Sequence, residues 1–331
     1  MLEILKYLVG SAGASGYGSK STAVEVTQSC PHLCSVTAII TGATSGIGEE
    51  TARVLAKRGA RIVLPARNLK AAEEAKARIK SESESECSDH SRITVMELDL
   101  SSLNSVRNFV SKFESLNLPL NLLINNAGRF CYEHAISEDG IEMTFTTNYL
   151  GIQGRIVNLT SNIHSWFSGD IFEYLGRISR SNSREYDATR AYALSKLANV
   201  LHTVQLAHRL QETEANVTVN CVHPGVVRTK LNRDREGFVT DLIFYMASKT
   251  KLLKTIPQGA ATSCYVATNR NVENVNGKYF ADCNEQGSCE SKLGTKSAPL
   301  AARLWSASEP SSPLLQVILR LDQLNSMNQL D

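Results

Sequence analysis

The stretch Thr41-Gly42-Ala43-Thr44-Ser45-Gly46-Ile47-Gly48 constrains this chain more than any other. It follows an apolar run, Val36 to Ile40, of the length of a buried parallel strand, and it opens a segment whose Ile47, Thr51, Val54 and Leu55 share one helical face. Strand, glycine turn and helix in that order form an anion cradle. Without a Cβ, Gly42 can take a sharp turn, Gly46 can let backbone N–H groups approach a pyrophosphate, and Gly48 lets the helix pack close to the sheet. The helix N-terminus then faces the anion. Taken alone, such glycines also fit an ordinary connection between a strand and a helix.

The rest of the chain continues the alternation. Arg61 to Pro65 reads as a strand, Leu69 to Ile79 as a helix, Ile93 to Leu98 as a strand, Ser101 to Phe113 as a helix with a Ser cap, and Leu120 to Ile124 as a fourth strand. Arg155 to Leu159 follows, then a long helix from Ala188 to Glu212, a strand from Val217 to Val222, a helix from Pro257 to Val266, and Lys278 to Phe280 as the last edge strand. Spacing of this kind predicts a single α/β domain, a doubly wound parallel sheet with helices on both faces. The domain spans residues 36–297. Residues 1–35, rich in Gly, Ser and Ala, read as a flexible N-terminal arm, and residues 298–331, interrupted by Ser and Pro, as a C-terminal tail. Within that tail Leu314 to Leu324 is amphipathic, compatible with a docked terminal helix or a partner-binding one. Ser81 to Glu86 is acidic and serine-rich, an exposed loop, and Val226 to Ile256 is a long connection of the size used for lids.

Charge and composition narrow the class. A formal net charge of +2 over 331 residues supplies no basic field for nucleic acid. No run approaches the ~18 apolar residues of a membrane span. Eight scattered cysteines read as reduced thiols, and Cys30-Pro31-His32-Leu33-Cys34 lacks the further ligands a metal site needs.

Candidate chemistry gathers at strand carboxyl ends, where open α/β sheets place ligands. Tyr192 and Lys196 lie four apart on the long helix and project from one face. A nearby ammonium favours phenolate, which predicts a tyrosine pKa lowered from ~10 toward neutrality and a general acid or base. Ser161 ends the fifth strand and could polarise a carbonyl, or simply cap the strand end. Asn125-Asn126-Ala127-Gly128 ends the fourth strand, with amides able to bridge neighbouring strands and small residues that leave room for a flat ligand. Asp99, ending the third, suits an adenine amino group or a helix cap. His223-Pro224-Gly225-Val226-Val227-Arg228-Thr229 leaves the sixth.

As a set these residues resemble the short-chain dehydrogenase/reductase superfamily over about residues 36 to 283. The 31-position gap from Ser161 to Tyr192 is similar to the retinol-dehydrogenase-like branch. His164 to Asp170, Tyr186 to Tyr192 and the opening Met1 to Lys20 resemble the plant short-chain dehydrogenases of the inner chloroplast envelope translocon. The resemblance implies a Rossmann-type fold and an oxidoreductase moving hydride between a nicotinamide and an apolar carbonyl or alcohol. It makes Ser161, Tyr192, Lys196 and Asn148 catalytic, with Asn148 supporting a water-mediated relay. Cofactor binding falls to Thr41, Gly42, Thr44, Ser45, Gly46, Ile47, Gly48, Asp99, Asn125, Ala127, Gly128, Pro224, Gly225 and Thr229. Arg67 stands where an NAD enzyme carries an acid for the ribose hydroxyls, so it would meet a 2′-phosphate and select NADP(H). The resemblance also implies a peripheral place at the chloroplast inner envelope, with the cytoplasm as alternative. A second implied role is an NADP(H)-sensing regulatory subunit of a protein-import complex, with translocon subunits and calmodulin as partners. Lys249 to Lys254 could make a calmodulin-type or membrane contact, or be a solvated lid face.

The chain departs from that pattern once. Thr147-Asn148-Tyr149-Leu150-Gly151 is followed almost directly by Gln153-Gly154-Arg155 and the fifth strand, so about 20 residues of crossover helix are absent after Gly151. A helix from Glu142 to Leu150 would cover half the usual area of sheet. That helix commonly forms the superfamily's dimer interface, so the oligomeric state is left open.

Overall fold

The structure, a computed structural model, describes residues 2–30, 32–82, 92–130, 133–137, 144, 155–180, 185–213, 215–228, 252–288 and 297–308. Eight strands build one sheet: β1 (Thr37–Ile40), β2 (Arg61–Ala66), β3 (Ile93–Glu97), β4 (Leu122–Asn125), β5 (Arg155–Leu159), β6 (Val219–His223), β7 (Lys278–Ala281) and β8 (Asn284–Ser288). Their order is β3-β2-β1-β4-β5-β6-β7-β8, with β8 antiparallel to β7 and every other pairing parallel. The order reverses between β1 and β4. There the chains leaving the two strands diverge to opposite faces and open a crevice at the carboxyl edge.

Burial on both faces explains the near-continuous apolar strands. Ala38 and Ile40, Ile62 and Leu64, Leu122 and Ile124, and Val157 and Leu159 pack on one face, against α3 (Gly46–Lys57) and α8 (Ile256–Thr268). The intervening Ile39, Val63, Leu123 and Ile156 point to the other face. They meet α5 (Leu103–Glu114) and α7 (Ala188–Glu212). The remaining helices are α1 (Leu2–Val9), α2 (Ala23–Thr27), α4 (Leu69–Glu82), α6 (Ile171–Ile178) and α9 (Ser297–Ser308).

Three expectations change. Much of the N-terminal segment is docked rather than a free arm: Ala23 and Val26 of α2 are fully buried in the core, and a Thr22–Glu25 capping box closes the helix start. A five-residue helix has no stability of its own, so tertiary burial of Ala23, Val26 and Thr27, with Val26 alone contributing ~1.5–3 kcal/mol, is what docks it. Phe280 does not end the sheet, because Asp282 and Cys283 turn with φ of 51° and 63° and return the chain as β8. The cysteines are not all free thiols, since Cys34 is disulfide-bonded while Cys30, Cys221, Cys264 and Cys283 are free. At the other end α9 buries Leu304 and Trp305, and the Trp305 ring stacks on His202 of α7 with centroids 5.3 Å apart. Of the expected acidic loop from Ser81 to Glu86, Ser81 and Glu82 belong to the last turn of α4 and 83–86 lie outside the described residues; so do the shortened crossover over 142–150, apart from a helical, buried Thr144, and the amphipathic run over 314–324.

Candidate active site

The crevice at the sheet switch point is built by hydrogen bonds between neighbouring strand ends. Asn126 Nδ2 donates to the carbonyls of Thr41, at 2.8 Å, and Gly42, at 3.2 Å, and the Ala127 amide donates to Thr41 Oγ1 at 2.9 Å. These bonds tie the glycine turn after β1 to the end of β4. Gly42 and Gly46 take φ of 65° and 62°, the left-handed region that a side chain resists. Close approach demands the third glycine: a Cβ on Gly48 would stand 2.3 Å from Asn126 Nδ2 and 2.5 Å from the Gly42 carbonyl. Ser45 precedes α3 without making a side-chain cap bond, so the backbone amides of that helix start are not taken by their own cap residue.

A cleft of about 660 Å³ runs along this edge. At one end lie Ala66, the last residue of β2, Arg67 and Asn68 after it and Asp99 after β3; Thr41, Gly42, Thr44 to Gly48, Ala127 and Gly128 line its middle; Thr160, Tyr192, Lys196 and Pro224 close the other end. The glycine turn, Arg67 and the Tyr–Lys pair therefore share one cavity. The glycine turn and the amide donors near it form a surface that fits the pyrophosphate of a dinucleotide.

The wall that carries Tyr192 and Lys196 is stapled to β5. Thr160 Oγ1 donates to the Lys196 carbonyl at 2.8 Å, and Lys196 Nζ and Asn199 Nδ2 both donate to the Leu159 carbonyl, at 3.1 and 2.9 Å. Below them Asn125 Nδ2 donates to Asn158 Oδ1, whose Nδ2 donates to Thr203. Burial corrects the predicted tyrosine chemistry. Tyr192 keeps part of its surface open, yet desolvation pushes its pKa up to about 12, and the same cause pulls Lys196 down to about 8. The phenol is thus held protonated at neutral pH.

Other expected residues divide. Asn125 and Gly225 are not cleft walls; the Asn125 amide is used inside the sheet. Ser161 sits at the end of β5 as expected, but its hydroxyl caps the 3₁₀ turn Asn162–Trp166, accepting from the Ile163 amide at 3.4 Å, and it does not line the cleft. Asp99 lines the cleft while its Oδ1 accepts from the Ser101 amide and hydroxyl, at 2.9 and 2.6 Å. Asn148 and Thr229 lie outside the described residues. Asn126, expected only to bridge strands, also lines the cleft, as do Arg129 and Phe130, which the sequence did not single out; the Phe130 ring lies 5.1 Å from that of Tyr192. Their position directly after β4, on the edge already marked by the glycine turn, was the available signal.

The short chain dehydrogenase family model matches residues 36–238, a span that includes the glycine turn, the strand ends and the Tyr–Lys helix. The chain belongs to the short-chain dehydrogenase family. Among its relatives are "Short-chain dehydrogenase TIC 32 A, chloroplastic" of Brassica napus, 44% identical over 328 residues, 92% of this chain and 97% of the relative. "Retinol dehydrogenase 14" of Homo sapiens is 37% identical over 305 residues, covering 85% and 87% of the two chains. Among solved structures, a short chain dehydrogenase from Burkholderia cenocepacia J2315 in complex with NADP is similar with a TM-score of 0.56 and 25% identity, over 76% of this chain and 97% of that one. A putative uncharacterized protein from Mycobacterium paratuberculosis gives a TM-score of 0.65 at 26% identity, over 88% and 97%. This short-chain dehydrogenase is therefore an oxidoreductase by family, with the family's mostly parallel sheet.

Proposed function

We propose that the chain is an NADP(H)-dependent carbonyl reductase or alcohol dehydrogenase. The observation that carries this reading is the single cleft with Arg67 at one end and Tyr192 and Lys196 at the other. Thr41 to Gly48 would hold the pyrophosphate on the α3 amides, and Arg67 the 2′-phosphate by a charge-assisted hydrogen bond. The nicotinamide, when bound, supplies or accepts the hydride.

The chain's own residues handle the proton. A phenol with a pKa near 12 remains protonated at neutral pH and can donate to a carbonyl oxygen. Lys196, still largely charged at pH 7, would offset the phenolate left behind and bind ribose hydroxyls. Ser161 would orient the carbonyl by turning its hydroxyl proton, which donates to Asn162 Oδ1 at 3.4 Å, to the substrate oxygen. Phe130 gives the reaction end an apolar wall, which suits an apolar substrate. Asn148 and Thr229 would complete the relay and the carboxamide contact.

A second reading, an NADP(H)-sensing subunit of a chloroplast protein-import complex, draws on the similarity to the chloroplastic relative. It carries with it a peripheral place at the inner envelope and contacts with translocon subunits and calmodulin. No helix among the described residues is long and apolar enough to cross a membrane.

Binding and turnover separate the readings. Titration with NADPH and NADH should show preference for NADPH, and Arg67→Asp should weaken NADPH by about tenfold or more, equivalent to one lost charge-assisted contact. Equal affinity for both cofactors in the parent chain would defeat the NADP(H) assignment. Reduction of members of an apolar carbonyl panel supports the enzyme; tight NADPH binding without any turnover supports the sensor.

A further inference from the structure

Lys254 is a lysine with almost no exposed side chain, 1% of its maximum, at the foot of α8. Its ammonium lies 2.6 Å from Asp282 Oδ1, in the turn between β7 and β8. Burying a charge requires a partner, and Asp282 supplies it while remaining partly solvated. A backbone pairing and a side-chain contact join this lysine to the loop that leaves β6. The Lys254 amide donates to the Val226 carbonyl at 2.9 Å, and Val227 pairs with Lys254 in a parallel bridge. The lysine stem also passes so close to Gly225 that a Cβ there would stand 2.7 Å from Cδ and 2.8 Å from Cε. Gly225, at φ 87°, lets the loop lie flat on that stem. Pro224, the first residue of this loop, is a wall of the cleft beside Tyr192 and Lys196.

We propose that Lys254, anchored by Asp282, is a positioning residue that fixes the Pro224–Val227 loop at the reaction end of the cleft. The inference rests on the reading of that cleft as an NADP(H) site, with the nicotinamide at the Tyr192 end. It assigns the pair an effect on one end of the ligand only. Arg67 lies at the other end and the glycine turn in the middle, and neither contacts the Lys254 side chain.

The test compares two ligands on the full chain by calorimetry: NADPH, and adenosine 2′,5′-bisphosphate, which lacks the nicotinamide half. Lys254→Met keeps the apolar stem and removes the charge; Asp282→Asn removes the partner from the more solvated side, and it serves if the first variant does not fold. Each should weaken NADPH by about fivefold or more while changing the bisphosphate by less than about twofold, the pattern of a lost local contact. Equal weakening of both ligands, or no change in either, overturns the positioning role. Failure of the parent chain to bind either ligand overturns the NADP(H) reading, and this inference with it.

Discussion

The Lys196 ammonium lies 5.6 Å from the centroid of the Tyr192 ring, one helical turn along α7, and donates to the Leu159 carbonyl at the end of β5. The pair is thus held by the sheet as well as by its own helix. Removing the phenolic hydroxyl leaves the helix and the cofactor cradle intact. Tyr192→Phe should lower the NADPH-dependent carbonyl reduction rate by about 10²–10⁴-fold, the usual worth of a general acid. NADPH affinity should change little. Activity unchanged from the parent chain would rule out Tyr192 as the proton donor.

Lys196 lowers stability at neutral pH. Its pKa falls from 10.5 in the unfolded chain to about 8 in the folded one, so below pH 8 the native state carries a penalty for a buried charge. As pH rises from 8 toward 10.5 the native lysine loses its proton before the unfolded one does, and this contribution to stability increases with pH. Lys196→Met should be more stable than the parent at pH 7 by on the order of 1–3 kcal/mol and should lack that alkaline gain. Asn199 still donates to the Leu159 carbonyl in the variant's place, so no buried acceptor is abandoned. Denaturant unfolding at pH 7 and pH 9.5 reads both effects.

Two histidines act at the acid side. His202, stacked on Trp305, and His223, at the end of β6, are both pulled from 6.5 to about 4 by burial, with the charge of Lys254 adding to the effect at His223. A folded pKa below the unfolded one means the contribution is complete above pH 6.5 and is lost as pH falls through 4. Unfolding free energy should drop between pH 7 and pH 5 by on the order of 2 kcal/mol from His202 alone. His202→Phe should remove that share of the acid sensitivity while retaining a flat ring for Trp305. An unaltered pH dependence in the variant would contradict the assignment.

Gly48→Ala tests the fit of helix to sheet. The added methyl meets Asn126 Nδ2 and the Gly42 carbonyl at separations no real Cβ tolerates, so the glycine turn must shift away from β4. Expected is a loss of about 1–3 kcal/mol in stability together with weakened NADPH binding. Thermal melts with and without NADPH measure both.

Much of this site was legible along the chain. Arg155–Leu159 and Ala188–Glu212 coincide with the predicted strand and helix, because unbroken β-branched and apolar runs and a long helical face are local signals. Gly42, Gly46, Arg67, Asp99, Tyr192 and Lys196 do line one cleft, since each sits at or just past the carboxyl end of a strand or on the helix facing it. Asn125 and Asn126 show where that reading stops. Neighbours in a strand point to opposite sides, and one amide was spent on Asn158 while the other reached the glycine turn. Nothing in the pair itself distinguishes them. β8 was missed for a similar reason, because the reversal at Asp282 and Cys283 uses non-glycine residues at positive φ.

Element order, sheet class and the chemistry at the strand ends follow from periodicity and residue type, properties that act over a few neighbouring positions. Protonation and anchoring do not. Tyr192 was read as a tyrosine that a nearby lysine would acidify, and burial among residues distant in the chain raised its pKa instead. Lys254 and Asp282, 28 positions apart, carry no mark of partnership until β7 and the foot of α8 bring them to 2.6 Å. Desolvation and pairing depend on what surrounds a group in space, and that surrounding exists only once the sheet is assembled.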